Sequence, residues 1–343
     1  MRPYRPESLA GRGATILGVE GFALSREERD FLRAAAPFGF ILFARNIESP
    51  EQVRSLCASL RDAAGYNAPV LIDQEGGRVQ RLRGPVWREW LPPLEQVTRA
   101  GARAEEAMYA RYRIIAHELC ELGIDANCAP CVDLAQRDTH PFLKNRCYAD
   151  TPSQVVAAGR AVARGLLDGG VLPVVKHVPG HGGALVDSHH DLPRVERDAA
   201  SLQVNDFAPF KALADLPMAM TAHIVFPALD SRPATLSQVI VDLIRDELDM
   251  DGLLMTDDIS MKALSGEIGA LSRAARAAGC DVVLHCNGDM REMRAVVEQA
   301  GTLEEDALRR AEAALAVRLP PREVDIPALE SKLAGMLDGN IHV

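Results

Sequence analysis

The chain has 343 residues, of which 48% are hydrophobic and 25% are charged, and its formal net charge is −10 at pH 7. This length and apolar content suffice for a full hydrophobic core, in one large domain or two smaller ones. An acidic chain argues against sequence-independent binding of nucleic acid, which requires a basic surface. The sequence also has no polybasic stretch that could bind anionic lipid. We therefore expect neither nucleic acid nor a membrane as a partner.

Two further features of the sequence bear on the compartment. Residues 1–21 lack the apolar core of a signal peptide, and no run of about 18 apolar residues occurs in the chain. Seven cysteines, an odd number scattered through a large chain, are typical of reduced thiols in the cytosol. Cys128 and Cys131 form a lone CxxC, which we interpret as two small core residues, with a metal or redox role as the alternative. These features predict a soluble, cytoplasmic protein.

Short apolar segments recur along the chain, with longer stretches of helical periodicity between them. The predicted strands are Ala14–Gly18, Gly39–Phe43, Pro69–Asp73, Ile124–Val132, Val171–Val175, Met218–Ile224, Gly252–Thr256 and Asp281–Cys286. The predicted helices are Ser25–Ala36, Pro50–Ala63, Ala102–Leu122, Pro152–Asp168, Ser237–Leu248, Ser272–Ala278 and Met290–Ala300. Strand and helix alternating through eight units predict a single (β/α)8 TIM-type barrel, an α/β fold.

A doubly wound sheet is the alternative fold. No G-x-G-x-x-G follows an early strand, and Gly11-Arg12-Gly13 precedes the first strand instead of closing it. Beyond the barrel, a helical stretch at Leu303–Arg318 is followed by Pro320-Pro321 and by an amphipathic stretch at Ile326–Leu337. We predict a catalytic barrel over residues 1–320 and a C-terminal helical extension over residues 321–343 that packs on it.

Polar residues follow the predicted strands where each strand ends, which is where active residues of such barrels lie. They are Arg45 and Asn46 just after strand two, Asp73 to Arg81 from the end of strand three, Lys176 and His177 just after strand five, His223 near the end of strand six, Asp257 and Asp258 just after strand seven, and His285 near the end of strand eight. The fifth strand leads into a segment rich in histidine and glycine, residues 176–189, whose glycines allow tight turns. We interpret this segment as a catalytic loop.

Three separated motifs in this chain resemble family 3 glycoside hydrolases, and in particular the single-domain bacterial β-N-acetylglucosaminidases of peptidoglycan recycling. The motifs are Ile72-Asp73-Gln74-Glu75-Gly76-Gly77-Arg78-Val79-Gln80-Arg81, then Lys176-His177-Val178-Pro179-Gly180-His181-Gly182 with Asp187-Ser188-His189, then Met255-Thr256-Asp257-Asp258-Ile259-Ser260-Met261. With Gly39 to Asn46 they span most of the predicted barrel in the expected order.

The resemblance implies that Asp257 is the nucleophile of a retaining glycosidase. A carboxylate at a barrel strand end is chemically suited to form a covalent glycosyl-enzyme, which divides the displacement into two steps. Asp258 is the better candidate for a structural role, as a cap or in a salt bridge. Neighbouring residues that leave a strand point to opposite faces, which disfavours a substrate-assisted mechanism that uses both carboxylates on one sugar.

By the same resemblance, His189 is the general acid/base and Asp187 orients it. A histidine gains and loses a proton near neutral pH, and a neighbouring carboxylate would fix its tautomer. An ordinary exposed loop histidine is the alternative for His189. We interpret His181 as a structural loop histidine that bonds to backbone. His177 and His181 have the spacing of a helical zinc motif, but Pro179 and Gly180 bar a regular helix there, so we expect no metal.

The resemblance assigns sugar contacts to Asp73, Arg81, Arg146, Lys176 and His177. Charged donors and acceptors on one rim suit the adjacent hydroxyls of a pyranose. The alternative is that Arg81 and Lys176 neutralise carboxylates in a structural ion network, to which Glu75 also belongs. Arg146 lies in a segment, residues 144–148, whose sequence departs from the usual family pattern.

The predicted function is that of a cytoplasmic, exo-acting, retaining β-N-acetylglucosaminidase that cleaves terminal N-acetylglucosamine from muropeptides of the GlcNAc-anhydro-MurNAc type, without a cofactor. Only 5% of the residues are aromatic, with Trp87 and Trp90 close together, which favours a pocket over a long polysaccharide cleft. The alternatives are another family 3 activity, either a β-glucosidase or a phosphorolytic enzyme, and a catalytically silent sugar-binding barrel.

Overall fold

Eight parallel strands form a barrel with helices around it, which confirms the predicted fold. The computed structural model describes residues 8–137, 139–184 and 192–337. The barrel strands are β1 (Gly13–Gly18), β2 (Pro37–Leu42), β3 (Val70–Ile72), β6 (Ala126–Asn127), β7 (Leu172–Val178), β8 (Met218–Thr221), β9 (Leu253–Met255) and β10 (Val283–His285). A two-stranded antiparallel hairpin, β4 (Gln74–Gly76) and β5 (Val79–Gln80), follows the third of them.

The sheet runs in the order β10-β1-β2-β3-β6-β7-β8-β9, and every neighbouring pair is parallel. A parallel bridge between Met255 and Val282 joins β9 to the segment before β10 and closes the barrel. Strand residues are buried on both faces, because the barrel interior is filled by side chains and the helices cover the outside. The carboxyl ends of all eight strands therefore meet at one end of the barrel.

The helices lie close to their predicted positions, and caps in the sequence account for several ends. The Ser25 hydroxyl accepts a hydrogen bond from the Glu28 backbone N–H, and the Ser25 backbone N–H donates to the Glu28 carboxylate. This capping box starts the first helix. Pro50, in the first turn after the Ser49 cap, starts the second. The helices are α1 (Arg26–Ala35), α2 (Pro50–Ala64), α3 (Pro93–Ala100), α4 (Ala104–Glu121), α5 (Pro141–Lys144), α6 (Pro152–Asp168), α7 (Ala199–Val204), α8 (Ala208–Ala212), α9 (Gln238–Asp242), α10 (Ile268–Ala278), α11 (Met290–Ala300), α12 (Glu305–Ala316) and α13 (Ile326–Met336).

Several predicted elements differ in extent from the observed ones, and two of the differences concern strands that lead into the site. The fourth predicted strand shrinks to Ala126–Asn127, because Pro130 has no N–H to donate to a ladder, and pairing with β7 resumes only as a single bridge between Cys131 and Lys176. The fifth extends to Val178, so Lys176 and His177 lie inside a strand and not after it, which corrects the prediction. The hairpin and the short helices α3, α5, α7 and α8 have too few residues for a clear periodic signal.

The last helix, α13, packs against α4. Leu333 is fully buried in this contact, and Arg88 donates to both carboxylate oxygens of Glu330 at 2.7 and 3.0 Å. The division into a barrel over residues 1–320 and an extension over residues 321–343 stays a prediction. None of the helices in the described ranges combines the length and the apolar content needed to cross a membrane.

Candidate active site

A cavity of about 480 Å³ opens at the carboxyl end of the barrel. Its volume is in the range of small-molecule sites. It is lined by Ile41, Phe43, Asp73, Arg78, Val79, Arg81, Phe142, Leu143, Arg146, Lys176, His177, His181, Met220, Asp257, Asp258, Met261, Leu284 and Cys286. Six predicted site residues that come from different strands and loops thus meet around one space.

An ion network forms one wall of this cavity. The Lys176 ammonium lies 2.8 Å from Asp73 Oδ1 and 2.6 Å from Glu75 Oε1. Arg146 contacts both oxygens of Glu75, at 2.9 and 3.0 Å, and Arg81 lies 3.0 Å from Asp73 Oδ2. Four of the five predicted sugar contacts, namely Asp73, Arg81, Arg146 and Lys176, therefore also belong to the ion network.

Burial decides which members of the network remain open to a ligand. The side chains of Glu75 and Lys176 are each 1% exposed, whereas that of Asp73 is 15% exposed and that of Arg81 24%. Burial alone would raise the pKa of Asp73, but Lys176 and Arg81 outweigh it and hold that pKa well below its usual range. Asp73 is thus an ionised acceptor at the cavity surface, and Glu75 is the buried counter-ion of Lys176 and Arg146 behind it.

Asp133 orients the histidine of the same wall. Its Oδ2 lies 2.7 Å from His177 Nδ1, and its Oδ1 accepts the His181 backbone N–H at 2.6 Å. His177 Nε2 lies 3.4 Å from the Arg146 guanidinium, which only donates, so we assign the ring proton to Nδ1. Burial would raise the pKa of Asp133, but His177 lowers it to about 2.

Asp133 was not identified from the sequence, although it is the first carboxylate after the fourth predicted strand. The strand-end rule that selected Asp73 and Asp257 would have found it. The signal was available, because the predicted strand ends at Val132, directly before Asp133.

Cys131, Asp133 and His177 offer three possible metal ligands that lie within 4.8 Å of one another. Their atoms already contact each other, since the Cys131 thiol donates to Asp133 Oδ2 at 3.4 Å and His177 Nδ1 does so at 2.7 Å. A hydrogen bond with Cys147 and burial keep the pKa of the Cys131 thiol well above its usual range, which disfavours the thiolate that metals require. A hydrogen-bonded cluster accounts for these contacts, and the expectation of a metal-free site stays a prediction.

His181 differs from its predicted role. Its backbone N–H is bonded, but neither ring nitrogen has a hydrogen-bond partner among the described residues. Burial lowers the pKa of His181 to about 4, so the ring is neutral at pH 7. The prediction that its side chain bonds to backbone is therefore wrong for the described part of the chain, and the ring faces the cavity.

Asp257 lies directly after β9 at the cavity surface. Its Oδ1 accepts the backbone N–H of Asp258 at 2.8 Å. Burial would raise its pKa, but His223 and His177 outweigh that effect and lower it. Asp257 is therefore ionised at neutral pH, as a nucleophile must be.

Asp258 also borders the cavity, but its carboxylate is occupied. It accepts hydrogen bonds from the Ser260 backbone and hydroxyl at 3.1 and 2.8 Å, and from the Cys286 backbone at 3.2 Å. These contacts match the capping role expected for Asp258, and they leave Asp257 as the carboxylate of this turn that faces a ligand.

Phe43 and Phe142 supply the aromatic surface of the cavity. The guanidinium of Arg78 lies 3.7 Å from the centre of the Phe142 ring, and that of Arg81 lies 5.0 Å from the centre of the Phe43 ring. Trp90 is fully buried elsewhere, and Trp87 packs against the core. Asp187 and His189 lie outside the described residues, so their predicted roles stay predictions.

Comparison with known proteins identifies the family to which this chain belongs. The family sequence model described as the glycosyl hydrolase family 3 N-terminal domain matches residues 12–317. A beta-hexosaminidase of Alkalilimnicola ehrlichii is 39% identical over 283 residues, 80% of this chain and 81% of that protein.

Solved structures agree with this assignment. NagZ from Neisseria gonorrhoeae in complex with N-trifluoroacetyl-D-glucosamine superposes with a TM-score of 0.82 at 30% identity, covering 95% of this chain and 98% of that one. A family 3 β-N-acetylglucosaminidase from a Paenibacillus species superposes with a TM-score of 0.79 at 31% identity over 96% of this chain, which spans 62% of that protein's length. The chain belongs to glycosyl hydrolase family 3.

Proposed function

We propose that this protein is an exo-acting, retaining β-N-acetylglucosaminidase. The observation that carries the proposal is that the ionised Asp257 carboxylate lines the same cavity as Asp73 and Arg81, whose polar groups can form hydrogen bonds with sugar hydroxyls. The names of its relatives support the substrate class, because they are a beta-hexosaminidase and a NagZ bound to an N-acylated glucosamine.

In the first step, Asp257 attacks the anomeric carbon and the leaving oxygen takes a proton, so that the bond to the aglycone breaks as the glycosyl ester forms. The network holds the sugar during this step. Asp73 is the acceptor for ring hydroxyls, while Arg81, Lys176 and Arg146 keep it ionised or hold its neighbour Glu75 in place. His177, with its Nδ1 proton directed at Asp133, presents a fixed ring edge to the cavity.

In the second step, water attacks the ester and releases the β-configured sugar, and the group that protonated the aglycone removes a proton from that water. We propose His189 for this acid/base role and Asp187 as its orienting partner, on the resemblance of the Asp187-Ser188-His189 motif. The chain needs no cofactor for either step.

The proposed natural substrates are muropeptides of the GlcNAc-anhydro-MurNAc type in the cytoplasm. A cavity of about 480 Å³ supports removal of one terminal sugar. All seven cysteines are free thiols, as is typical of a reducing compartment.

The first experiment compares hydrolysis of 4-nitrophenyl N-acetyl-β-glucosaminide and 4-nitrophenyl β-glucoside, with the product anomer followed by NMR. We expect the acetamido sugar to be preferred and the β-anomer to form first. Preference for the glucoside would refute the substrate class, and an α-anomer formed first would refute retention. Repeating the assay in inorganic phosphate separates hydrolysis from phosphorolysis, because only the latter yields a sugar 1-phosphate.

Asp257→Ala tests the nucleophile directly. We expect kcat to fall by roughly four to six orders of magnitude, since a nucleophile carries the whole first step. Added azide should fill the vacated space, displace the aryloxide and give the α-configured glycosyl azide. Activity close to that of the unaltered protein would refute the assignment of Asp257.

His189→Ala tests the acid/base. Unactivated disaccharides should lose about 10²–10⁴-fold in kcat/KM, whereas aryl glycosides with good leaving groups should lose much less at the first step. Equal losses on both substrate types would show that His189 is not the acid.

A further inference from the structure

His181 is a buried side chain that faces the cavity with its hydrogen-bonding capacity unused. The residue is 7% exposed, and neither Nδ1 nor Nε2 has a partner within the described part of the chain. Buried polar atoms in folded proteins nearly always have partners, so an imidazole with two unbonded nitrogens needs an explanation. Because His181 lines the cavity, a bound ligand can supply the missing partners.

The position of this ring is fixed by the loop that carries it. The His181 backbone N–H donates to Asp133 Oδ1 at 2.6 Å, and the carbonyl oxygen of the next residue, Gly182, accepts from the Thr139 hydroxyl at 2.6 Å. The ring meets that of His177 edge-on, with 5.7 Å between the ring centroids. Contacts of the backbone and of the ring therefore hold the side chain toward the cavity.

The charge state of the ring limits what it can bind. Burial lowers the pKa of His181 to about 4, and His177 adds to this effect, whereas Asp133 and Asp257 oppose it. The ring is therefore neutral at pH 7 and offers one N–H donor and one acceptor nitrogen. Such a ring suits an uncharged polar group, and it holds no proton to transfer at neutral pH.

The ion network in the same cavity differs from His181 because its members are charged. Asp73 contacts both Arg81 and Lys176, at 3.0 and 2.8 Å. Charged donors and acceptors of this kind suit the adjacent hydroxyls of a pyranose. The network thus accounts for the hydroxyls of the proposed sugar and leaves its uncharged amide without an assigned partner.

Apolar side chains line the cavity together with His181. They are Met220 on β8, Met261 in the turn after β9 and Leu284 on β10, and β8 and β10 flank the strand that Asp257 follows. In N-acetylglucosamine, the carbon that bears the acetamido group is bonded to the anomeric carbon. An acetamido group combines a neutral amide, which donates and accepts hydrogen bonds, with a methyl group that favours apolar surface. The cavity therefore offers a complement to both parts of that group.

We propose that His181 is a substrate-binding residue whose imidazole forms a hydrogen bond with the 2-acetamido group of the terminal sugar. This inference rests on the proposed function and deepens it, because it assigns to His181 part of the preference for N-acetylglucosamine over glucose. The role differs from the one proposed for His189, since His181 transfers no proton.

The first test is a cycle of two proteins and two substrates. His181→Phe keeps a planar ring but removes both nitrogens. The second substrate, 4-nitrophenyl N-trifluoroacetyl-β-glucosaminide, keeps the amide, but its fluorines weaken the carbonyl acceptor and strengthen the N–H donor. Other effects of the fluorines on reactivity are common to both proteins and cancel in the cycle.

We expect the ratio of kcat/KM for the acetyl and trifluoroacetyl substrates to differ between the unaltered protein and His181→Phe by about three- to tenfold, the effect of one neutral hydrogen bond. The same ratio in both proteins would overturn the proposed contact. Should His181→Phe fail to fold, His181→Ala, which adds no bulk, is measured in its place.

A binding measurement does not depend on turnover. In calorimetric titration with N-acetylglucosamine, His181→Phe should raise Kd by about five- to tenfold, because the hydrogen bond to the amide is lost. His181→Gln keeps a donor and an acceptor and should bind more tightly than His181→Phe. His117→Phe, the same change at a side chain on α4 that is 42% exposed, is the matched control and should leave Kd unchanged. An unchanged Kd in folded His181→Phe would contradict the proposal.

Titration with glucose separates failure of this inference from failure of the proposed function. If the unaltered protein binds glucose as tightly as N-acetylglucosamine, the proposed function is wrong. If it prefers N-acetylglucosamine and His181→Phe keeps the whole preference, the proposed function stands and only the role of His181 is refuted.

Discussion

At the scale of single residues, Asp133 connects the strand that carries His177 with the loop that carries His181. Its two oxygens accept from both residues, and its side chain is fully buried. Removing one partner of a buried, hydrogen-bonded charge pair lowers the stability of the fold, because the donors of the other partner are left buried without an acceptor.

We predict that Asp133→Asn lowers the free energy of unfolding at pH 7 by about 3 kcal/mol and raises KM, since an amide has only one acceptor oxygen and can no longer accept from both His177 and His181. Urea denaturation and initial-rate kinetics measure the two effects. Asp62→Asn, a change to an exposed carboxylate on α2, is the matched control and should stay within about 0.5 kcal/mol.

The same residue gives a pH dependence with a defined sign. The pKa of Asp133 is about 2 in the folded chain, against an ordinary value of 3.8. A depressed folded-state pKa contributes stability that is present above the ordinary value and lost as the pH falls toward 2. The difference in stability between the protein and Asp133→Asn should therefore shrink between pH 4 and pH 2, and a constant difference would contradict the assignment.

At the scale of elements, the β4–β5 hairpin brings Arg81 back over Asp73, and Gly76 makes its turn possible. Gly76 has φ +107°, and a Cβ there would lie 2.9 Å from the Leu91 carbonyl oxygen and would overlap the Arg111 guanidinium. Arg111 is fully buried, and it donates to the carbonyl oxygens of Glu75 and Leu91. The hairpin is therefore held against α4 at a position where no side chain fits.

Gly76→Ala should destabilise the fold by about 3 kcal/mol or more, because it combines a strained φ with overpacking in a buried site. It should also raise KM by displacing Arg81. Gly65→Ala is the control: Gly65 has φ +72° but open space around it, so only the backbone cost of about 1 kcal/mol is expected. Equal losses in thermal unfolding would show that packing against Arg111 is unimportant.

The sequence predicted the strands well because each is a short apolar run between helical stretches, and it predicted Asp73, Lys176 and Asp257 because they stand at or near strand ends. It offered an ion network of Lys176 and Glu75 as an alternative, but it could not predict that both side chains are buried, since this depends on how β3, β7 and the loop carrying Arg146 approach one another. The hairpin was missed for a similar reason. Its first strand is held by Arg111, which donates to the Glu75 carbonyl oxygen and is a charged residue inside a helix whose pattern gave no sign of burial.

At the scale of the whole molecule, the C-terminal helix is tied to the part of the chain that carries the site. Arg88, which follows the hairpin, contacts Glu118 of α4 at 2.8 Å and Glu330 of α13. The side chains of Arg88 and Glu330 are each 27% exposed, so this pair contributes at most about 1 kcal/mol. Apolar burial must supply most of the docking energy.

Leu333 carries that apolar contact, since it is 0% exposed. Leu333→Ala should lower the free energy of unfolding by about 2–5 kcal/mol, the usual range for a fully buried leucine. Leu319→Ala, the same chemical change at a side chain 63% exposed, should stay within about 0.5 kcal/mol.

Kinetics on Leu333→Ala then test the proposed division of the chain. If residues 321–343 are an extension on a self-sufficient barrel, kcat and KM should be unchanged at temperatures where the variant is folded, because no α13 residue lines the described cavity. A rise in KM without unfolding would instead show that α13 sets the position of the hairpin through Arg88, so that helix and barrel form one cooperative unit.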